Sequence, residues 1–321
     1  MKYFRVFVIV VFGWALVAPA AFAFPDRPIT LVNPFAPGGP ADVFARLMAQ
    51  AMGEQLQQSV IVANRTGGGG SIGAISVAKA APDGYTLMFA MPSTHAILPH
   101  IMAKLPYDPV KDFVPVSMVS TLDYVLAINP AIKANTYAEF VALVRQNPGK
   151  FSFGSAGTGS ETHLFGEMLR TKAGVNVVHV PYRGTGPALT AVVGGEVGFM
   201  FAPMTAVLPF SASGQLRPIA TIANARSNLL PNVPTIAEAG QPEFILKSWM
   251  AIFAPAGTPE PVVAKLNDAI GRILRGEKMR ARFIELGAAA VGSSSDELRN
   301  FLGQELVKYQ ALVSVSGVKA E

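Results

Sequence analysis

The fold is decided by a glycine-rich turn, Asn33-Pro34-Phe35-Ala36-Pro37-Gly38-Gly39-Pro40-Ala41-Asp42. The apolar run 28–35 leads into this turn and predicts a strand. An amphipathic helix follows it, with an apolar stripe of Phe44, Leu47, Met48, Ala51 and Met52. A second turn of the same kind is Phe153-Gly154-Ser155-Ala156-Gly157-Thr158-Gly159-Ser160-Glu161, between a predicted strand over 150–153 and a predicted helix over 162–171.

Each turn presents the start of a helix to a ligand. In open α/β sheets, ligands bind where the carboxyl ends of strands meet such turns, and a helix N-terminus suits an anion. Gly38 and Gly39 carry no side chain, so backbone amides can come close to a ligand there. Thr158 and Glu161 fit a capping box, and Ser160 offers a hydroxyl. One such turn is typical of any strand–helix connection, but two of them favour ligand binding.

Strand and helix patterns alternate along the rest of the chain, whose 321 residues are enough for two domains. Further strands are predicted over 60–63, 85–90, 114–119, 124–128, 175–180, 197–201, 217–223 and 251–253, and further helices over 71–80, 137–146, 260–275, 278–286 and 296–313. Strands separated by helices predict an α/β fold with parallel sheets and right-handed crossovers.

Composition excludes several functional classes. The chain has no cysteine, which excludes disulfides, zinc–thiolate sites and thiol nucleophiles. Residues 1–23 carry Lys2 and Arg5 and no acid, so without them the formal charge falls from +5 to +3. Such a small surplus, with no Lys/Arg cluster, argues against nucleic acid as a partner.

The first 23 residues read as a cleaved secretory signal peptide. Lys2 and Arg5 form a positive n-region, 6–17 an apolar core and 21–23 an A-x-A cleavage site. The alternative is a membrane anchor, because 6–25 is uncharged and long enough to span a bilayer. Cleavage predicts an exported, periplasmic protein.

A second glycine-rich segment, 67–73, matches two motifs of enzymes. Gly68, Gly70 and Gly73 satisfy G-x-G-x-x-G, but no acid follows at the distance that a dinucleotide site needs. The same segment spells G-x-S-x-G around Ser71, which keeps a periplasmic serine esterase-like hydrolase as an alternative function. His163 or His179 with Asp268 are conceivable partners, but not in the order Ser, acid, His. We expect no cofactor.

Single polar residues give weaker signals. His95, His100, His163 and His179 lack H-x-x-x-H spacing and an obvious carboxylate partner, so no metal site is expected. Ser93 and Thr94 follow a predicted strand and precede His95, which places all three as candidates for lining a pocket. Arg183 lies on a later turn and is a candidate anion contact.

A set of motifs in fixed order resembles a known family. The motifs are Pro25-Asp26-Arg27-Pro28-Ile29, Pro34-Phe35-Ala36-Pro37-Gly38-Gly39-x-x-Asp42, Gly67–Gly70, Asp83-Gly84-Tyr85-Thr86-Leu87, Tyr107-Asp108-Pro109-x-x-Asp112-Phe113-x-Pro115-Val116, Gly154-Ser155-Ala156-Gly157-x-Gly159-Ser160, Pro181-Tyr182-Arg183-Gly184, Val233-Pro234-Thr235 and Ala254-Pro255-Ala256-Gly257-Thr258-Pro259. Together they resemble the substrate-binding proteins of tripartite tricarboxylate transporters, also called Bug-type receptors.

The resemblance implies a type II periplasmic-binding-protein fold, in which two α/β lobes close on a small carboxylate. It implies a first-lobe turn of Phe35, Ala36, Gly38 and Gly39 and a second-lobe turn of Ser155, Gly157, Thr158 and Ser160. Ala202 lies in a segment that adds polar groups to the pocket in many members of the family.

The same resemblance implies discontinuous lobes. Lobe 1 comprises 24–123 and 248–321 and lobe 2 comprises 124–247, with hinge crossings near Leu122 and Trp249. We therefore expect a non-enzymatic, monomeric receptor that delivers a carboxylate to membrane transporter subunits. A ligand sensor for a signalling partner is the remaining alternative, because it would use the same cleft.

Overall fold

The computed structural model describes residues 24–244 and 246–318 and contains two β-sheets with helices packed on both faces of each. The predicted signal peptide, and the alternative of an anchor, lie outside the described residues. No helix within the described ranges combines the length and the apolar character needed to cross a bilayer.

The first sheet has six strands in the order β11-β4-β10-β3-β1-β2. The strands are β1 (Ile29–Asn33), β2 (Val60–Asn64), β3 (Thr86–Ala90), β4 (Phe113–Leu122), β10 (Ser248–Pro255) and β11 (Ala288–Ala290). β1 pairs in parallel with β2 and β3, whereas β10 runs antiparallel to both β3 and β4.

The second sheet has five strands in the order β7-β6-β8-β5-β9. The strands are β5 (Tyr124–Ile128), β6 (Phe151–Ser155), β7 (Val177–Pro181), β8 (Phe199–Pro203) and β9 (Arg217–Ile222). β6 is parallel to β7 and β8, and β5 is antiparallel to β8 and β9.

Ten α-helices are described. They are α1 (Pro40–Leu56), α2 (Ser71–Ala78), α3 (Leu98–Ile101), α4 (Tyr137–Gln146), α5 (Glu161–Lys172), α6 (Thr185–Gly194), α7 (Met204–Ala212), α8 (Glu260–Arg275), α9 (Glu277–Glu285) and α10 (Ser295–Ser316). A π-helical turn, Ser93–Ile97, precedes α3. Helix α10 packs on β4 of the first sheet and also on α5, which itself packs on β6 and β8 of the second sheet.

The prediction that all strands are parallel is wrong. β4 and β5 are separated by one residue, Asp123, at which the chain passes from the first sheet to the second. The chain returns through Ser248 as β10, which enters the first sheet in the opposite direction to its neighbours. Because the chain passes between sheets here, these strands need no crossover helix, and mixed sheets result.

The hydrophobic pattern predicted the buried faces well. On α1, Phe44, Met48 and Met52 are fully buried, whereas Leu47 and Ala51 are only partly buried. Every strand and helix predicted from the sequence falls on an observed element. Helices α3, α6 and α7 and strand β11 were not predicted, because their short, small-residue or proline-containing sequences show no clear period.

Candidate functional site

The first-lobe turn is held from behind by the carboxylate of Asp42. Its Oδ2 accepts hydrogen bonds from Gly38 N–H at 3.0 Å and from Arg46 Nε at 2.8 Å. Its Oδ1 accepts one from Asn64 Nδ2 at 2.9 Å, and the same Nδ2 donates to the carbonyl of Phe35 at 2.9 Å. Burial raises the pKa of Asp42, but these three donors outweigh burial and hold that pKa below its ordinary value.

This bracing leaves the start of α1 open. Gly38 N–H is used by Asp42, so Gly38, with φ +81°, shapes the turn rather than supplying a donor to a ligand. Among the described residues, the N–H groups of Gly39, Ala41 and Asp42 have no protein acceptor. Gly39 has φ −80° and ψ 169°, which is ordinary extended backbone. Residue 40 is proline and has no N–H to contribute.

The second-lobe turn satisfies several of its amides internally. Ala156 N–H donates to Thr162 Oγ1 at 2.8 Å, and Gly157 N–H donates to Ser155 Oγ at 3.1 Å. Gly159 N–H donates to a ring nitrogen of the histidine at position 163, at 3.3 Å. Among the described residues, the N–H groups of Thr158, Glu161 and Thr162 have no protein acceptor, so amides also remain open at the start of α5.

Ser160 is the N-cap of α5, so the predicted capping box of Thr158 and Glu161 is wrong. The Ser160 hydroxyl accepts the N–H of His163 at 3.2 Å and donates to Gly157 O at 2.6 Å. The helix begins at Glu161, which places Thr158 outside it.

Two stacked histidines lie beneath the second turn. The rings of His163 and His179 are 3.9 Å apart and nearly parallel, at 12°. His179 Nε2 and Ser155 Oγ share a hydrogen bond of 2.6 Å. Burial lowers the pKa of His163 to about 3 and that of His179 to about 4, so both rings are neutral at pH 7. The expectation that no histidine has a carboxylate neighbour is wrong, since Glu167 Oε1 lies 3.9 Å from His163 Nε2.

A central cavity of about 40 Å³ lies where the two turns face each other. Its lining comes from both sheets and consists of Phe35, Ala36, Gly39, Pro40, Ala41, Met91, Ser93, Tyr124, Ala156, Ser160, Glu161, Thr162, Thr185, Pro203, Ser248, Trp249 and Met250. Ser93 is 2% exposed, and its hydroxyl has no hydrogen-bond partner among the described residues. Among these lining residues there is no lysine or arginine. An anion in this site would therefore meet backbone N–H groups and hydroxyls rather than a positively charged side chain.

Two wider cavities adjoin the central one. One, of about 580 Å³, lies between the loop 66–70 and the second turn and includes Arg183 at its edge. The other, of about 510 Å³, lies between the first turn and helices α6 and α7, and its lining is mainly apolar. At Gly69 an added Cβ would overlap the carbonyl oxygen of Thr158, so the two lobes touch across the first of these cavities.

A buried carboxyl group borders the central cavity. Glu161 is 3% exposed and accepts hydrogen bonds from Ser248 Oγ at 2.6 Å, Tyr309 OH at 2.9 Å and Tyr124 OH at 3.1 Å. Burial raises the pKa of Glu161 to about 7, although the three hydroxyl donors oppose that shift.

The predicted site residues fall into three groups. Phe35, Ala36, Gly39, Ser93 and Ser160 line the central cavity. Gly157, Thr158 and Arg183 line the cavity of 580 Å³, and Gly38 lines that of 510 Å³.

Thr94, Ser155 and Ala202 lie behind these walls. Thr94 is fully buried and bonds Met91 O and His95, Ser155 bonds His179, and Ala202 packs in the core beneath α6 and α7. His95 is also fully buried, between Phe113 and Phe253, rather than on a cavity wall.

Several lining residues were not expected from the sequence to contact a ligand. They are Met91, Tyr124, Glu161 as a side chain, Thr185, Pro203, Ser248, Trp249 and Met250. Four of them, Tyr124, Ser248, Trp249 and Met250, lie at the two crossings between the sheets. Their only sequence signal is their position next to those crossings.

The partners proposed for a Ser71 nucleophile are engaged elsewhere. His179 bonds Ser155, His163 lies beside Glu167, and Asp268 forms an exposed ion pair with Arg272 on α8. Ser71 itself opens α2 and is 5% exposed. Within the described ranges, no three histidine, aspartate or glutamate side chains are placed to share a metal ion.

Two α/β lobes with a cleft between facing helix N-termini define a two-lobed, type II binding protein, the class to which the solved structures similar to this chain belong. The chain belongs to the tripartite tricarboxylate transporter receptor family. The profile described as "Tripartite tricarboxylate transporter family receptor" matches residues 44–318. Protein BugT of Bordetella pertussis is 37% identical over 301 residues, which cover 94% of this chain and 92% of BugT.

Two similar solved structures hold carboxylates. An R. palustris protein solved with adipate is 32% identical, with a TM-score of 0.90, over 92% of this chain and 99% of that protein. MatC from Rhodopseudomonas palustris, solved with bound malate, is 35% identical, with a TM-score of 0.87, over 90% of this chain and 100% of MatC. The family and fold predicted from the motifs are thus confirmed, as is the prediction of a receptor rather than an enzyme.

Proposed function

We propose that this chain binds a small carboxylate in the central cavity and delivers it to the membrane subunits of a tripartite tricarboxylate transporter. One observation carries the proposal: unpaired amides at Gly39 and Ala41 and the unpartnered, buried hydroxyl of Ser93 border the same cavity. A carboxylate supplies the acceptors that these donors lack.

The donor set is sufficient for useful affinity without a cation. A helix terminus contributes about 0.3–1 kcal/mol to anion binding and up to ~2 when partly buried. Hydrogen bonds to a charged group contribute about 1.5–3 kcal/mol each. Four of them cover the roughly 8 kcal/mol of micromolar affinity after association costs. The relatives solved with adipate and malate favour the same ligand class.

The twelve residues selected from the sequence form the proposed site, some as ligand contacts and some as residues that position those contacts. Gly39, Ser93 and Ser160 contact the carboxylate, and Phe35 and Ala36 form the adjoining wall. Gly157, Thr158 and Arg183 face the part of the ligand that extends into the larger cavity. Gly38, Thr94, Ser155 and Ala202 position these residues from behind.

We propose that 24–123 with 248–321 and 124–247 move as two lobes about Asp123 and Ser248. The change of sheet at those two residues supports this division. A ligand that touches both lobes favours the closed state by its differential affinity. Small-angle scattering should give a smaller radius of gyration with ligand than without it, whereas an unchanged radius at saturation would place the ligand within one lobe.

The direct test is a thermal-shift screen. A ligand at a hundredfold excess over Kd stabilises the folded state by about 2.7 kcal/mol, which raises Tm by a few degrees. The panel contains acetate, malate, adipate, citrate, benzoate and glutamate, with glucose and calcium chloride as controls. Stabilisation by at least one carboxylate is expected. Stabilisation by glucose or calcium alone would overturn the proposal.

The remaining proposals concern where the protein is located, its oligomeric state and its partner. We propose export through a cleaved signal peptide over residues 1–23, a periplasmic location, and a monomeric receptor. A fluorophosphonate probe should not label Ser71, and labelling lost in Ser71→Ala would favour the hydrolase instead. Co-purification with transporter subunits rather than with a sensor protein would separate delivery from signalling.

A further inference from the structure

The buried carboxyl of Glu161 is unusual because, in the part of the chain that the structure describes, no cation faces it. Its three partners, Tyr124, Ser248 and Tyr309, are neutral hydroxyl donors. An ionised carboxylate that is removed from water normally has a cationic partner, because desolvation strongly disfavours the lone charge.

Nearby cations are already paired with other acids. Lys308 Nζ lies 3.0 Å from Glu305 Oε1, and Arg170 Nε lies 2.6 Å from Glu167 Oε2. Glu305 also accepts the indole N–H of Trp249 at 2.9 Å, and its charge further disfavours ionisation of Glu161. The titratable and charged groups on the elements around Glu161 include Tyr124 and Asp123 at β5, His163, Glu167 and Arg170 on α5, His179 on β7, Lys247 before β10, and Glu305, Lys308 and Tyr309 on α10.

The hydrogen bonds around Glu161 suit either protonation state. A serine hydroxyl can donate or accept a hydrogen bond, so Ser248 Oγ, 2.6 Å from Oε2, can accept a hydrogen bond from a neutral Glu161 as readily as it donates one to a charged Glu161. Of this hydrogen bond, only the hydroxyl hydrogen of Ser248 has to turn when the proton arrives.

Glu161 is also next to the anion site. Glu161, Tyr124 and Ser248 all line the central cavity, which also contains the open amides of Gly39 and Ala41. A carboxylate in that cavity places a second negative charge beside Glu161, which is itself buried away from water. Two close carboxylates in such a site share a proton rather than both ionising.

We propose that Glu161 takes up a proton when a carboxylate enters the central cavity, so that the receptor captures its ligand together with a proton. This inference rests on the proposed function. Linkage gives the direction in which affinity changes with pH. Burial already raises the pKa of Glu161 to about 7, and a bound carboxylate raises that pKa further, so binding weakens as the pH rises above 7. Below that pH Glu161 is protonated with or without ligand, and the affinity is constant.

The test measures Kd by calorimetry at pH 6.5 and pH 8 for adipate, malate, benzoate and glutamate. Carboxyl groups ionise with pKa values of about 4, so these probes stay charged over this range. For any probe that binds, Kd should rise nearly tenfold in the wild type, as linkage to one proton requires. Glu161→Gln, which imitates the neutral form, should bind at pH 8 about as tightly as the wild type does at pH 6.5.

Glu167→Gln is the matched control, because Glu167 is also a buried carboxyl group on α5 but is already paired with Arg170. It should keep the wild-type pH dependence. A second measurement needs no variant: calorimetry of the wild type at pH 8, in buffers of different ionisation enthalpy, should show uptake of close to one proton per ligand.

The outcomes separate this inference from the proposed function. If no probe binds at either pH, the proposed function is overturned and this inference falls with it. If a probe binds but the wild-type Kd changes less than twofold without proton uptake, only the proton-coupled mechanism is overturned. A Glu161→Gln variant that retains the full pH dependence would also overturn it.

Discussion

The two glycine turns that face each other across the cleft are stabilised in different ways. The first is held by side chains behind it, Asp42 and Asn64, which leave the amides at the start of α1 without protein acceptors. The second uses the amides of Ala156, Gly157 and Gly159 within the turn and rests on the stacked pair of His163 and His179. Both turns leave open amides at the start of their helices, but only the first places one of them at a glycine, Gly39, on the wall of the central cavity. Because no side chain covers the amide of Gly39, the first turn should contribute most to carboxylate affinity.

The largest effect is expected from Gly39→Val. The backbone at Gly39 is ordinary and a Cβ would meet only Ala36 O, at 3.8 Å, so the substitution should fold. The valine methyl groups would enter the central cavity and keep a carboxylate from the amides. We expect a loss of roughly 2–4 kcal/mol in binding by calorimetry, the scale of one or two charge-assisted hydrogen bonds. Gly303→Val, on an exposed face of α10, is the control and should bind normally.

The second prediction concerns acid stability and tests the histidine pair. The folded protein keeps His163 and His179 neutral, whereas the unfolded chain protonates them below pH 6.5, so the free energy of unfolding should fall as the pH drops from 6.5 towards 4. Each buried histidine contributes up to about 1.4 kcal/mol per pH unit. Denaturant unfolding of His179→Gln should show a difference between pH 7 and pH 5 that is smaller by roughly 1–2 kcal/mol than in the wild type. If the free energy of unfolding changes equally between pH 7 and pH 5 in the variant and the wild type, His179 is already charged in the folded state at pH 5.

The third prediction separates capping from binding in the second turn. Ser160→Ala removes the N-cap of α5 and should lower the free energy of unfolding by about 1 kcal/mol. Thr136→Ala removes the equivalent cap of α4, away from the cleft, and should cost about the same stability. Only Ser160→Ala should also weaken carboxylate binding, by about 1 kcal/mol or less. Equal affinity in both variants would restrict Ser160 to a structural role.

The smallest effect is expected from Arg183→Ala. Arg183 is exposed at the edge of the cavity of 580 Å³, where water screens its charge. Its loss should weaken carboxylate binding by less than about 1 kcal/mol at physiological salt. If Arg183→Ala abolishes binding while folded Gly39→Val binds normally, the site is an arginine clamp and the comparison between the turns is wrong.

The sequence predicted both turns because their signals are local. Strand and helix periods end within a few residues of the glycines, and β1 and α5 begin and end close to their predicted bounds. The resemblance to a receptor family rested on motifs clustered around the same turns. Everything that depends on neighbours in sequence was therefore accessible.

Contacts over long sequence distances were not accessible. The partners of Glu161 lie 37, 87 and 148 positions away, at Tyr124, Ser248 and Tyr309, and no spacing rule connects them. The brace from Asn64 to Asp42 likewise joins two elements that meet only because β1 and β2 pair. The direction of β10 follows from its return from the other sheet, which its own residues do not encode.

The place of β10 in the first sheet has a consequence for the order of folding. This strand lies between β3 and β4, yet more than a hundred residues of the second sheet are synthesised before it. Until it inserts, β3 and β4 present unpaired edges, and the contacts that close the sheet have a long loop-closure distance. The five strands of the second sheet are contiguous in the chain and can assemble first. The newly made polypeptide should therefore remain incompletely folded until its last quarter is available, and a chain that stops before Ser248 should aggregate through those open edges.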